Sequence, residues 1–204
     1  MSDYPALDRQ VFRLVLARCL AMVKALRAAG ATPLFYLDEP GLYALDTQDG
    51  RHLLMLQELR LLVVALQREG ALVGLHCCGN TRWEAVLELG LDLLSFDVRL
   101  SLDAVLDVPG PLEAFLRSGG GLSLGIVPTD LGEDASVVEL VAATEASLES
   151  VLGTKTAHAA LEHSVLTPAC GLALRSVRDA EHIVEQLRVA QSALADAKPA
   201  SQST

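Results

Sequence analysis

The feature that most constrains the fold is a regular alternation between short apolar runs and longer segments with helical periodicity. Helices are predicted over residues 8–29, 51–69, 82–89, 135–151 and 177–195, with helical turns over 101–106 and 110–117. Apolar runs of strand length fall at 32–40, 71–80, 92–98, 121–130 and 164–172. Strands that alternate with helices in this way form a parallel sheet covered by helices, so we expect an α/β fold.

Two α/β architectures fit this alternation: an open, doubly wound sheet and a (β/α)8 barrel. No G-x-G-x-x-G motif follows a strand, so the dinucleotide-binding form of the open sheet has no support. The chain has 204 residues, which is enough for one domain with a sizeable core. In both architectures, functional groups gather at the carboxyl ends of the strands.

Charge and hydropathy exclude several partners and locations. The formal net charge of −10 argues against nucleic acid or an anionic membrane as the main partner. Charged residues and glycines interrupt every apolar stretch before the ~18 residues that a membrane span needs. The N-terminus opens with polar residues and lacks the pattern of a signal peptide, so we expect a cytoplasmic protein. In a reducing cytosol, clustered cysteine and histidine indicate metal or catalytic groups.

Potential metal ligands and acids lie at the predicted strand ends. They are Asp38, His76, Cys78, Asp97, Asp130 and Cys170. His76 and Cys78 are two residues apart on one strand, so their side chains point the same way and Cys77 points the other way. Together with Asp97 and Cys170 they make a plausible tetrahedral set of nitrogen, sulfur and oxygen ligands, which predicts a zinc site.

The segments that carry these residues resemble successive parts of the superfamily of cobalamin-independent methionine synthase and uroporphyrinogen decarboxylase. The matching segments are Asp38-Glu39-Pro40, His76-Cys77-Cys78-Gly79-Asn80, DLLSFDV at 92–98 and LTPACGLALR at 166–175. They occur in the family's order and at the corresponding strand ends. Residues 78–81 and 125–129 are more similar still to an uncharacterised bacterial branch of the superfamily.

The resemblance implies a zinc-dependent methyltransferase that transfers a methyl group to a thiol such as homocysteine. It implies that His76, Cys78 and Cys170 bind the zinc ion. Asp97 stands where the family has a zinc-binding glutamate, and Asp38 would hold the ammonium group of the substrate. For Asp38, a role as a helix N-cap is the alternative. The methyl donor would be a methylated folate or a methyl-corrinoid protein.

Two departures from the family pattern bear on this expectation. A histidine that serves in proton transfer is missing after the fourth strand, where Asp130 either substitutes for it or caps a loop. A full barrel has eight strand–helix units and about 250 residues, whereas this sequence predicts five units. We therefore expect a partial TIM-type barrel over residues 1–196, followed by a frayed tail at 197–204.

An incomplete barrel leaves unpaired strand edges, so a homodimer or a partner chain that completes the barrel is expected. This suggests a second function: a barrel remnant that binds zinc without catalysis and acts in assembly with a partner chain. Porphyrinogen decarboxylation, a third function, relies on N-terminal arginines of that family that this sequence does not show.

Overall fold

The computed structural model describes residues 5–130 and 136–196, and strands and helices alternate along them. The strands are β1 (Leu34–Asp38), β2 (Leu72–Cys77), β3 (Leu93–Asp97), β4 (Gly121–Val127) and β5 (Val165–Pro168). The α-helices are α1 (Pro5–Ala28), α2 (Gly50–Arg68), α3 (Trp83–Leu87), α4 (Val98–Leu106), α5 (Pro109–Arg117), α6 (Val137–Leu152), α7 (Thr154–Glu162) and α8 (Val177–Asp196). A 3-10 helix, Pro40–Ala44, follows β1.

The five strands form one parallel sheet in the order β1-β2-β3-β4-β5. A doubly wound sheet reverses its strand order at a switch point, and this sheet does not. Because every strand pairs with the next one along the chain, right-handed crossovers place the connecting helices on the same face. The sheet is curled into a half-barrel, so the prediction of a partial TIM-type barrel is confirmed.

The sequence prediction differs from the structure mainly in the loops and at the strand ends. It missed the 3-10 helix and α7. The buried residues of α7 are Ala157, Ala160 and Leu161, two of which have small side chains. The last strand ends at Pro168 rather than 172. Cys170 therefore lies in the loop after β5. The predicted tail at 197–204 lies outside the described residues.

Local signals in the sequence set where helices begin and end. The Asp49 carboxylate accepts a hydrogen bond from the backbone N–H of Arg51 (2.8 Å) and caps α2. Gly70 follows the C-cap of α2 with a φ of 86°, a conformation that costs glycine little. No helix in the described ranges is both long enough and apolar enough to cross a membrane.

The core lies between the sheet and the helices. The side chains that fill it from the sheet are Val73, Leu75, Cys77, Leu94, Phe96, Leu122, Leu124 and Ile126, each at most 1% exposed. Trp83 of α3 packs edge-on against Phe96 with ring centroids 5.9 Å apart, and is itself buried. Trp83 therefore belongs to the core and is not available to stack on a ligand.

The opposite face of the sheet is polar near the carboxyl ends of the strands and apolar near their amino ends. Along β2, alternation puts His76 on this face and the buried Leu75 and Cys77 on the other. At the amino ends, Leu34, Leu72 and Val165 are 45%, 47% and 38% exposed. We refer to these three side chains, on the concave side of the incomplete barrel, as the apolar patch, in which Leu34 and Leu72 are partners across β1 and β2.

We predict that the protein is dimeric or binds a partner chain, because β1 and β5 are sheet edges and the concave patch is apolar. Light scattering at micromolar concentration should report a mass above that of one chain. Leu72→Lys should weaken this association, while Leu100→Lys, at an exposed position on α4, should not. A stable wild-type monomer would contradict the prediction.

Candidate metal site

Three of the predicted zinc ligands lie together at the carboxyl edge of the sheet. The Sγ atom of Cys78 is 3.2 Å from Nε2 of His76 and 3.6 Å from Sγ of Cys170. The ligand atoms of all three residues lie within 4.8 Å of one another. His76 and Cys78 are partly buried and Cys170 is exposed, so the group opens toward solvent on one side.

The curl of the sheet brings these side chains together. Neighbouring strands are 4.7–4.9 Å apart, so β2 and β5, separated by β3 and β4, would be about 14 Å apart in a flat sheet. Here the sulfur of Cys78, which follows β2, contacts the sulfur of Cys170, which follows β5. The site therefore exists only because the sheet bends.

The loop that carries Cys170 is anchored to the sheet at Ala169, the residue before Cys170. The backbone N–H of Ala169 donates to the carbonyl of Val127 at 2.8 Å and extends the β4–β5 pairing by one hydrogen bond. A Cβ at Gly125 would lie 2.9 Å from Cα of Ala169 and 2.7 Å from the Phe96 carbonyl oxygen. Glycine at 125 thus allows β3, β4 and the Cys170 loop to approach closely.

Ser95 orients the imidazole ring of His76. His76 pairs with Ser95 across β2 and β3, and Nδ1 of His76 is 3.0 Å from the Ser95 hydroxyl. Engagement of Nδ1 leaves Nε2 facing Cys78, as metal-binding histidines require. Sequence reasoning missed Ser95, because its role depends on strand register; its signal is a serine opposite a candidate ligand histidine.

Burial favours the neutral forms of His76 and Cys78 when no cation is bound. Burial lowers the pKa of His76, although the carboxylates of Asp38 and Asp97 act in the opposite direction. Burial and the contact with Cys170 raise the pKa of the Cys78 thiol to about 12. A neutral imidazole suits metal binding, and a bound cation would supply the positive charge that favours the Cys78 thiolate.

The two distances from the Cys78 sulfur to the other ligand atoms are close to those around a zinc ion. Tetrahedral zinc, with bonds of about 2.3 Å to sulfur and about 2.1 Å to nitrogen, separates its ligand atoms by about 3.5–3.8 Å. The distances of 3.2 and 3.6 Å are within a few tenths of an ångström of this range. One nitrogen and two sulfur atoms are also a ligand set that zinc prefers.

Asp97 does not belong to this group of three. It ends β3 and is the N-cap of α4, where its carboxylate accepts a hydrogen bond from the backbone N–H of Arg99 at 2.8 Å. Burial raises the pKa of Asp97 despite that bond. Zinc ligation by Asp97 remains a prediction, and it would compete with the capping of α4.

The two carboxylates predicted to act in catalysis follow β1 and β4, which are separated in the sheet by β2 and β3. Asp38 ends β1 opposite His76 in the register and is exposed. It is not the N-cap of a helix, because Glu39 precedes the 3-10 helix and Asp49 caps α2. Asp130 forms an exposed ion pair with Arg99, at 3.2 Å between Oδ1 and the guanidinium.

A second group of candidate ligands lies between α6 and α7. Nε2 of His158 is 3.0 Å from a carboxylate oxygen of Glu149 and 3.7 Å from one of Glu145. The three ligand atoms lie within 4.8 Å of one another. His158 is partly buried. These contacts link α6 to α7, which gives the group a structural role.

Comparison with known proteins adds no relative. No protein-family model matches the chain, and no curated protein matches it significantly.

We predict that Ser95→Ala lowers zinc affinity by about 10–100-fold, the usual effect of losing the partner that orients a ligand histidine. Competition titration against a chromogenic zinc chelator measures this change. Ser123→Ala is the matched control, because Ser123 is the buried neighbour of Ser95 on β4 and its hydroxyl has no hydrogen-bond partner. Equal zinc affinity in wild type and Ser95→Ala would contradict the assigned role.

Proposed function

We propose that this protein is a zinc-dependent methyltransferase, related to the cobalamin-independent methionine synthases, that methylates a thiol such as homocysteine. The observation that supports the proposal best is the convergence of His76, Cys78 and Cys170 at the carboxyl edge of a half-barrel. Active sites of TIM-type barrels lie at this edge. His76, Cys78 and Cys170 would hold the zinc ion.

Zinc, when bound, lowers the pKa of a coordinated thiol, so that the nucleophilic thiolate exists at neutral pH. The chain would use its own residues to receive and orient the substrate. Cys170 is exposed, so a thiol can approach from the solvent side of the ligand group. A catalytic zinc site needs such an open position, whereas a structural site is closed.

Asp38 is the residue that we propose for substrate recognition. It is an exposed carboxylate at the end of β1, directly opposite His76 in the strand register. An amino-acid thiol carries an ammonium group, and an exposed carboxylate beside the ligand group can pair with it. Asp130, beside Arg99, is the proposed substitute for the family's proton-transfer histidine. The methyl donor is a methylated folate or a methyl-corrinoid protein.

The open edges of the half-barrel favour the second function, a zinc-binding barrel remnant in assembly with a partner chain. The apolar patch of Leu34, Leu72 and Val165 supports it, since such a patch is buried inside a complete barrel. The two functions differ in whether the zinc ion must have an exchangeable coordination position. An enzyme must accept an external thiol there, whereas a remnant has no need of an exchangeable position.

We predict that homocysteine changes the zinc coordination toward more sulfur and releases a proton as the thiol ionises. X-ray absorption at the zinc edge, with and without the thiol, measures the coordination, and homoserine is the matched control without sulfur. Asp97→Ala should keep most of its zinc and still bind the thiol, while Cys170→Ala should lose both. An unchanged zinc spectrum in wild type would favour the remnant.

A further inference from the structure

We propose that Cys78 and Cys170 form a reversible disulfide when the site holds no metal, so that oxidation switches off metal binding. The pair would be a redox-modification site in the same place as the proposed zinc site. The disulfide follows from the positions of the two cysteines alone. Its effect on zinc rests on the proposed function.

The two sulfur atoms are already in contact. They are 3.6 Å apart, and a disulfide bond of about 2.0 Å requires an approach of about 1.6 Å. Cys170 lies in the loop between β5 and α8, and its side chain is exposed. An exposed loop residue can move this far without disturbing the core. Exposure also lets a dissolved oxidant reach the Cys170 sulfur.

The other two described cysteines are poorly placed to compete. Cys77 is fully buried on the opposite face of β2, where its thiol donates to the Gly79 carbonyl at 3.1 Å. Cys19 is on α1 and packs against the hydrophobic core. Geometry therefore selects one pairing, between residues that are 92 positions apart in the chain.

The reaction balances with hydrogen peroxide as the oxidant. The exposed Cys170 thiol reacts first, which gives a sulfenic acid and one molecule of water. The Cys78 sulfur then attacks the sulfenic sulfur, the S–S bond forms, and the hydroxyl leaves with the thiol proton as a second molecule of water. A dithiol reductant returns two electrons and two protons and restores both thiols.

Oxidation would remove two of the three proposed zinc ligands, because a disulfide sulfur is not a thiolate. Zinc and the disulfide therefore exclude each other. A bound metal ion should protect both sulfur atoms from peroxide, and a disulfide should prevent zinc from binding until it is reduced. His76 alone would remain from the ligand group.

The test uses the full chain, stripped of metal with a chelator and treated with hydrogen peroxide. Remaining thiols are alkylated, and the digested protein is analysed by mass spectrometry for a peptide that links Cys78 to Cys170. We expect this peptide in wild type and in Cys77→Ala, its loss in Cys170→Ala, and its disappearance after dithiothreitol. Zinc added before peroxide should lower the cross-linked fraction, and oxidised protein should bind less zinc than reduced protein.

Two results would overturn parts of the proposal in distinguishable ways. If peroxide yields no link, or a link through Cys77 or Cys19, the redox pair is wrong whatever the metal content. If the link forms but zinc neither slows it nor is excluded by it, the disulfide stands and the shared metal site is wrong. Cys170→Ala should lose the link even though it retains the other three cysteines, which separates a specific pair from general oxidation.

Discussion

The curl of the parallel sheet is the constraint on which the site depends. A flat five-stranded sheet would hold the ends of β2 and β5 about 14 Å apart, too far for two side chains to share an ion. In this protein the sulfur atoms that follow those strands are 3.6 Å apart. The consecutive strand order and the helices on one face are compatible with this curvature. Gly125 on β4 allows β3, β4 and the Cys170 loop to approach closely.

Burial and strand register then prepare the side chains. His76 is held by Ser95 across the β2–β3 pair, with the ring nitrogen that faces Cys78 left available. Burial raises the pKa of the Cys78 thiol, which favours its neutral form when no cation is bound. A bound cation would supply the positive charge that stabilises the thiolate form of such a ligand. Because the sulfur atoms of Cys78 and Cys170 are in contact, oxidation can also join them in the proposed disulfide.

The sequence predicts the fold class and the converging strand ends, because both follow from patterns along the chain. The alternation of apolar runs and helical segments is enough to predict a parallel sheet. The two-residue spacing of His76 and Cys78 is enough to place them on one face. The role of Ser95 depends on pairing between β2 and β3, which no local pattern specifies.

Asp97 shows the limit of motif-based reasoning. The sequence places it at a strand end, where the structure also has it, yet its carboxylate caps α4. Whether a carboxylate at such a position caps a helix or binds a metal depends on a balance between two partners. The position of Cys170 in a loop similarly reflects where Pro168 ends β5.

Whether His76, Cys78 and Cys170 bind one zinc ion is decided by the metal content of the purified protein. Elemental analysis after extensive dialysis should give about one zinc per wild-type chain. A Cys78→Ser plus Cys170→Ser variant should retain almost none, while Cys77→Ala, altered at the adjacent cysteine on the opposite face, should retain it. A wild-type protein without zinc, or a double variant with unchanged zinc, would contradict the account.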